Sequence, residues 1–251
     1  MATTDADMAL QDCGYKKLFR QLMAKAARIW NLTSRSTKAA DTAFEIVGHR
    51  FQVPCVTRWN SYYDSVKKII SSEAELTDLC KALNLPSFLH SEIQFLKEYI
   101  VVMAPMAASL DILQGEQQCT LGYVLPTLTV LKKKLGQTTS RHVRPLQLSL
   151  LQGLNKRFGS LFTDKSFLLA AISHPKFKIA WCDDPAIRAQ CTQLLENAIL
   201  NTDNDITLDT PDATSSSVGL HSDIDSAQCS DDFFDFTNAD ASSQKHLLYG
   251  T

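Results

Sequence analysis

The sequence has few of the marks that usually announce an activity. Its seven cysteines, at positions 13, 55, 80, 119, 182, 191 and 229, include no CxxC pair and no accompanying HxxxH. That spacing excludes the common structural zinc frameworks. There is no G-x-S-x-G elbow, no P-loop and no GxGxxG turn, so motif-bearing hydrolases, nucleotidases and dinucleotide enzymes are excluded, and no cofactor is expected. The six histidines, at 49, 90, 142, 174, 221 and 246, stand isolated from one another and read as surface or satisfied residues rather than catalysts. The longest apolar run, Tyr99 to Leu110, is interrupted by Pro105 and is too short to cross a bilayer, so no membrane partner is expected. Without a signal-peptide pattern, scattered thiols fit a reducing compartment, the nucleus or the cytosol.

What is present is helical periodicity and an uneven distribution of charge. Residues 1–200 hold 24 Lys and Arg against 17 Asp and Glu, a balance of +7, whereas residues 201–251 hold one Lys against ten Asp and no Glu, a balance of -9. A mildly basic body with an acidic tail raises nucleic acid as a partner, with a solvated surface as the plainer reading. Apolar residues at 15, 18, 19, 22, 23, 26, 29 and 30 recur at helical spacing from about Asp7, opposite a basic row of Lys16, Lys17, Arg20, Lys25 and Arg28. Similar patterns predict helices over 37–47 closed by Gly48, from 61 with 62, 63, 66, 69 and 70 apolar, and over 87–113 around Pro105. Further helices are expected over 121–135, 145–158, 165–172 and 185–200. Ser72-Glu73-Ala74-Glu75 reads as a capping box opening a helix to about Leu83. Residues 50–57, with Phe51, Val53 and Val56 around Pro54, read as one short edge strand.

From Asn201 onward the chain is Asp, Ser and Thr with little to bury, and disorder is expected. One segment departs from that composition: Asp231-Asp232-Phe233-Phe234-Asp235-Phe236 interleaves acids with aromatics, as short partner-binding segments do. Two-metal phosphoryl chemistry needs converging carboxylates. Asp5, Asp7, Asp41, Asp64, Asp111, Asp183, Asp184 and Glu196 are available, but spacing alone assembles no set from them, and Asp183-Asp184-Pro185 suits a helix start.

Three segments resemble one family. Thr57-Arg58-Trp59-Asn60-Ser61 is similar to the T-R-W-N-S signature of hAT transposases. Leu110 to Glu116, followed by Leu125-Pro126 and the leucines to Leu135, is similar to that family's L-Q-G-E … L-P stretch. Ala171 to Lys178 resembles its A-x-x-L-D-P-R-F-K box, with His174 in place of Asp and Lys176 in place of Arg. The three occur in the family's order, and together they cover roughly residues 1–180. The resemblance implies a mainly α chain organised as a partial RNase H-like flank (1–60, helices plus one strand), a helical insertion-like bundle (61–200) and a disordered acidic tail (201–251).

The same resemblance implies what is missing. The family's BED zinc finger and the segment with its first two catalytic aspartates have no counterpart in these 251 residues, and no residue matches its last catalytic glutamate. The expectation is a transposon-derived, catalytically incomplete protein, not an enzyme, that retains DNA binding or association with a transposase and acts in the nucleus. Arg58 and Trp59 carry over from the family's DNA-end contact. Lys132, Lys133, Lys134, Arg141 and Arg144 are the candidate phosphate contacts. The alternatives are a helical protein-interaction module without a nucleic-acid role, or part of an active transposase whose carboxylates lie outside this chain.

Overall fold

The computed structural model describes residues 5–55, 60–115 and 120–203 together with Phe233, Phe234 and Phe236; for residues 5–12 and 201–203 it describes only the helical backbone. Among these residues the chain is mainly helical and no strand occurs. Nine α-helices follow one another: α1 Asp5–Arg35, α2 Thr37–Val47, α3 Ser61–Ser71, α4 Leu76–Ala82, α5 His90–Gln114, α6 Val124–Gln137, α7 Arg144–Phe158, α8 Lys165–Ser173 and α9 Pro185–Asp203. Short 3-10 turns, Leu121–Tyr123 and Gly159–Thr163, precede α6 and follow α7.

Local chemistry sets most of these ends. Ser36 caps α2 by accepting a bond from the Ala39 amide at 3.2 Å, and Gly48 closes that helix at φ 74, its N–H donating to the Phe44 carbonyl. Asp164 accepts from the Ser166 amide at the start of α8. Asp184 does the same for Ala186 at the start of α9, where Pro185 occupies the first helical position without leaving a donor unpaired.

Two local expectations are corrected. The strand expected over 50–57 is not formed by residues 51–55. Phe51 is buried with its ring edge-on to His49 at 4.9 Å, and the Gln52 and Cys55 carbonyls accept bonds from the Ser65 and Ser61 hydroxyls. Side chains of α3 thus take the backbone groups that a neighbouring strand would have paired. The capping box at Ser72 is also absent. The Ser72 hydroxyl pairs with His49 Nε2 at 2.7 Å, Glu73 pairs with Lys97 at 2.6 Å, and Glu75 makes no side-chain cap for α4. Glu92 plays the capping part further on, accepting from the Leu89 amide at 2.7 Å before α5 while binding Lys25 at 2.6 Å. Lys25 therefore leaves the basic row of α1 for a half-buried ion pair.

The chain gathers into two compact units, residues 1–110 with 134–153, and residues 111–133 with 154–251. In the first unit Leu22, Met23, Ala26, Ile29 and Trp30 of α1 are buried, as are Ile93, Phe95, Leu96, Tyr99 and Val102 of α5. Tyr15 stacks on Phe95 at 5.8 Å and Phe19 meets Tyr99 at 5.7 Å, so aromatic rows on the two helices interlock. Burial, and next the neighbouring Tyr62, push the Tyr99 phenol up to about 12, which keeps it neutral. In the second unit Leu125, Leu128 and Leu131 of α6 are buried with Leu168, Ala171 and Ile172 of α8, and with Phe177, Trp181, Cys182 and Cys191. Leu125, Leu128, Leu131 and Leu135 all fall in α6 and are buried, whereas Leu121 opens the 3-10 turn before it and is exposed. Beyond Asp203 only three phenylalanines are described, so the expected disorder of the remaining tail lies outside the described residues.

Candidate functional site, an aromatic groove

The groove grows from the end of α8. Pro175 cannot continue the helix, and His174 adopts φ -71, ψ 122. The His174 carbonyl then accepts bonds from both the Phe177 and Lys178 amides, at 3.1 and 3.0 Å, while its Nδ1 accepts from the Lys176 amide at 3.3 Å. Lys178 takes a left-handed φ of 48, a conformation unusual for a side chain other than glycine or asparagine. Its carbonyl accepts the Trp181 indole N–H at 3.0 Å. This compact winding turns Phe177 and Trp181 inward, both about 1 % exposed, and leaves Lys176 and Lys178 outside.

The second wall is the Leu121–Tyr123 turn. Gly122 sits so close to α8 that a Cβ there would lie 2.7 Å from the Ala170 carbonyl oxygen and 3.1 Å from His174 Cβ. Glycine is required by that approach, and the approach brings Tyr123 to the end of α8. Tyr123, His174 and Phe177 form a triangle of rings with centroids 4.8 to 4.9 Å apart, Tyr123 edge-on to each of the other two. Edge-to-face contacts of this kind each contribute about 0.5–1.5 kcal/mol beyond area burial.

Onto this triangle comes the aromatic part of the acidic tail. Phe234 lies 4.8 Å from Phe177 and 6.0 Å from Tyr123, Phe233 is edge-on to Phe234 at 5.2 Å, and Phe236 stacks on Phe234 at 6.1 Å. Phe233 and Phe234 are 3 % and 8 % exposed, which places them in the core of the unit and not on its surface. The Lys176 ammonium stands 5.2 Å from the Phe234 ring, 5.8 Å from Tyr123 and 5.9 Å from Phe177, a cation over an electron-rich cluster. The turn from Ile172 to Ile179 also borders a cavity of about 580 Å³ whose lining, completed by Cys191, Thr192 and Leu195 of α9, is almost wholly apolar.

Of the residues expected to contact DNA, Lys132, Lys133, Lys134, Arg141 and Arg144 fall among the described residues. Lys132 folds over the Phe162 ring at 4.3 Å, and partial burial lowers its pKa, so it is committed to an aromatic contact. Lys132 and Lys133 belong to the second unit, whereas Lys134, Arg141 and Arg144 belong to the first. Arg141 and Arg144 are exposed at the entry to α7, where the Arg141 amide donates to Glu98 at 2.9 Å. Arg58 and Trp59 lie outside the described residues. Among the described candidates, Arg141 and Arg144 are both exposed at the start of α7.

Among the described residues no group of three or more His, Cys, Asp or Glu could hold a metal ion, and no helix is long and apolar enough to cross a membrane. The described cysteines are free thiols. Burial pushes those of Cys182 and Cys191 up, the reverse of what a nucleophilic thiolate requires.

Sequence reasoning singled out both halves of the groove, the Ala171–Lys178 box and the Asp231–Phe236 segment, without joining them. It missed Tyr123 and Gly122. A glycine beside a tyrosine just before a leucine-spaced helix was the available signal, but nothing in the spacing told which distant element approached it. Set against known protein families, curated proteins and solved structures, the chain matches none.

Proposed function

We propose that the chain is a hAT transposase-like helical protein that works by binding another protein through the aromatic groove, not by cutting DNA. The three motif resemblances support the hAT assignment, with residues 1–60 as a remnant of an RNase H-like flank and the helices after them as the insertion. The burial of Phe233 and Phe234, with Phe234 against Tyr123 and Phe177, is the observation that carries the interaction reading. A cluster that accepts two phenylalanines, under a lysine, has the chemistry of a site for short aromatic segments bearing carboxylates. Recognition of this kind rests on a few buried aromatic anchors with a polar rim. The nucleus, and a related transposase as the partner, follow from the resemblance.

The contrasting reading, DNA association, has its best support in the exposed Arg141 and Arg144. Two titrations separate them. A fluorescent peptide spanning Ser230 to Asn238 should bind the full chain carrying F233A/F234A, and binding should be lost when Lys176→Glu is added. Labelled duplex DNA at low and moderate salt should show no binding that depends on Lys132, Lys133 or Lys134. Salt-sensitive DNA binding that weakens on Arg141→Ala and Arg144→Ala, with no peptide binding, would reverse the assignment.

A further inference from the structure

We propose that Phe233, Phe234 and Phe236 are a built-in competitor, so that the chain closes its own docking groove in cis and a partner with an acidic aromatic segment enters only by displacing Phe233 and Phe234. This rests on the groove being a peptide site. Four observations carry it further.

The occupant is discontinuous with the pocket it fills. Tyr123 and Phe177 precede Phe234 by 111 and 57 positions, and 29 residues separate the end of α9 from Phe233. Those 29 residues, fully extended, reach about 100 Å, so covalent linkage keeps the segment near the groove without dictating that it stay inside. The anchor is also small. Two buried rings on a three-ring cluster are far from the roughly 1,200–2,000 Å² of a permanent interface, and a contact of that size exchanges readily.

Charge gives the occupant its chemical class. The phenylalanines are bracketed in sequence by Asp231, Asp232 and Asp235, in a tail whose balance is -9. The exposed charged side chains of the box that forms the groove are Lys176 and Lys178, and Lys176 stands over Phe234 itself. The partner that fits is therefore a peptide with paired aromatics flanked by carboxylates, the chemistry of the segment already there. Finally, the segment is the aromatic-rich stretch of an otherwise polar tail, which is the composition of a tethered ligand.

The regulatory consequence is quantitative. A tethered ligand acts at an effective concentration of about a millimolar. A peptide that binds the vacated groove with a Kd of roughly 10–100 µM would meet an apparent Kd about ten- to hundredfold weaker in the closed chain, because the competent state is populated only in that proportion. A partner must overcome that factor by higher affinity, by two-point attachment or by first disengaging the tail.

The test uses full-length chain and the Ser230–Asn238 peptide in a fluorescence anisotropy titration. Three forms are compared: wild type, F233A/F234A, and wild type with a protease site introduced within residues 212–220, cut and diluted to nanomolar concentration. The expected result is peptide binding at least tenfold tighter to the double variant and to the cut chain than to the uncut wild type. A peptide with D231N/D232N/D235N should bind several-fold more weakly, and the difference should shrink as salt rises. The cut chain keeps every groove residue, which guards against a double variant that misfolds. Equal, measurable affinity for all three forms would overturn self-competition while leaving the groove a peptide site. No binding to any form, with circular dichroism unchanged, would overturn the groove reading and the inference with it.

Discussion

The two units hold themselves together by different means. Between α6 and α7 the first unit uses polar side chains as brackets. Glu98 accepts bonds from the Arg141 and His142 amides at 2.9 and 2.7 Å and pairs with His142 Nδ1 at 2.8 Å. Gln147, only 8 % exposed, gives its amide N–H groups to the Leu135 and Thr138 carbonyls and accepts from Ser140 at 2.9 Å. Thus two side chains organise the connection of residues 138–143. The second unit organises its turns by rings: Tyr123, Phe162, His174, Phe177, Trp181 and the tail phenylalanines. Polar brackets satisfy groups that would otherwise be buried unpaired and fix one loop geometry. Aromatic clusters have softer angular demands, and one of their members can be replaced by a ring of another chain.

The contrast can be broken most sharply at Phe177. Truncation to alanine removes a ring that touches Tyr123, His174 and Phe234, and should cost about 3–5 kcal/mol. Denaturant unfolding followed through Trp181 should show the loss, together with separation of the second unit's transition from that of the first. Next comes Gly122→Ala, which forces a methyl against the Ala170 carbonyl. A cost of about 1–3 kcal/mol is expected, whereas Gly136→Ala, where nothing lies within 4 Å, should show none of it.

Glu98→Gln addresses the polar bracket and should cost about 1–3 kcal/mol, since two amides and an imidazole lose a charged acceptor. Burial alone would raise the Glu98 pKa, but the bonds from His142 and the Arg141 amide bring it net below the ordinary carboxylate value. The sign follows. A depressed folded pKa gives stability that is present above the unfolded value of about 4.3 and is lost as pH falls through the folded one. Thermal melts of the wild type between neutral pH and pH 3 should show that decline, and Glu98→Gln should flatten it. The smallest effect expected is a gain: Gly136→Ala and Gly153→Ala, both in helices with open space, should each stabilise by about 0.4–1 kcal/mol. Thermal melts would check it, and a loss at either position would mean that these helices pack more tightly than described.

Much of the helical order was legible because apolar spacing and caps are local properties. Gly48 closes α2, and Asp184-Pro185 starts α9, where their chemistry said they would. Reading failed where a side chain had a choice of partners. Ser72 had backbone amides in its own turn to accept from and paired with His49 instead, and residues 51–55 found serine hydroxyls in place of a neighbouring strand. Lys132 was one of three consecutive lysines, and nothing local distinguished it as the one that would meet Phe162. The groove itself was half legible. Each motif stood out by composition, but their meeting depends on three chain segments separated by more than fifty residues, and a single sequence carries no record of that.

The separation of those segments has a consequence in time. During synthesis at about 5–20 residues per second, Tyr123 and Phe177 are both made while Phe234 is still 57 residues away. For roughly three to eleven seconds the chain carries all three rings of the triangle before the segment that covers them is made. Every newly made molecule passes once through a state with a vacant aromatic surface, and that interval is the first opportunity for a chaperone, or for the aromatic segment of a neighbouring chain, to occupy it.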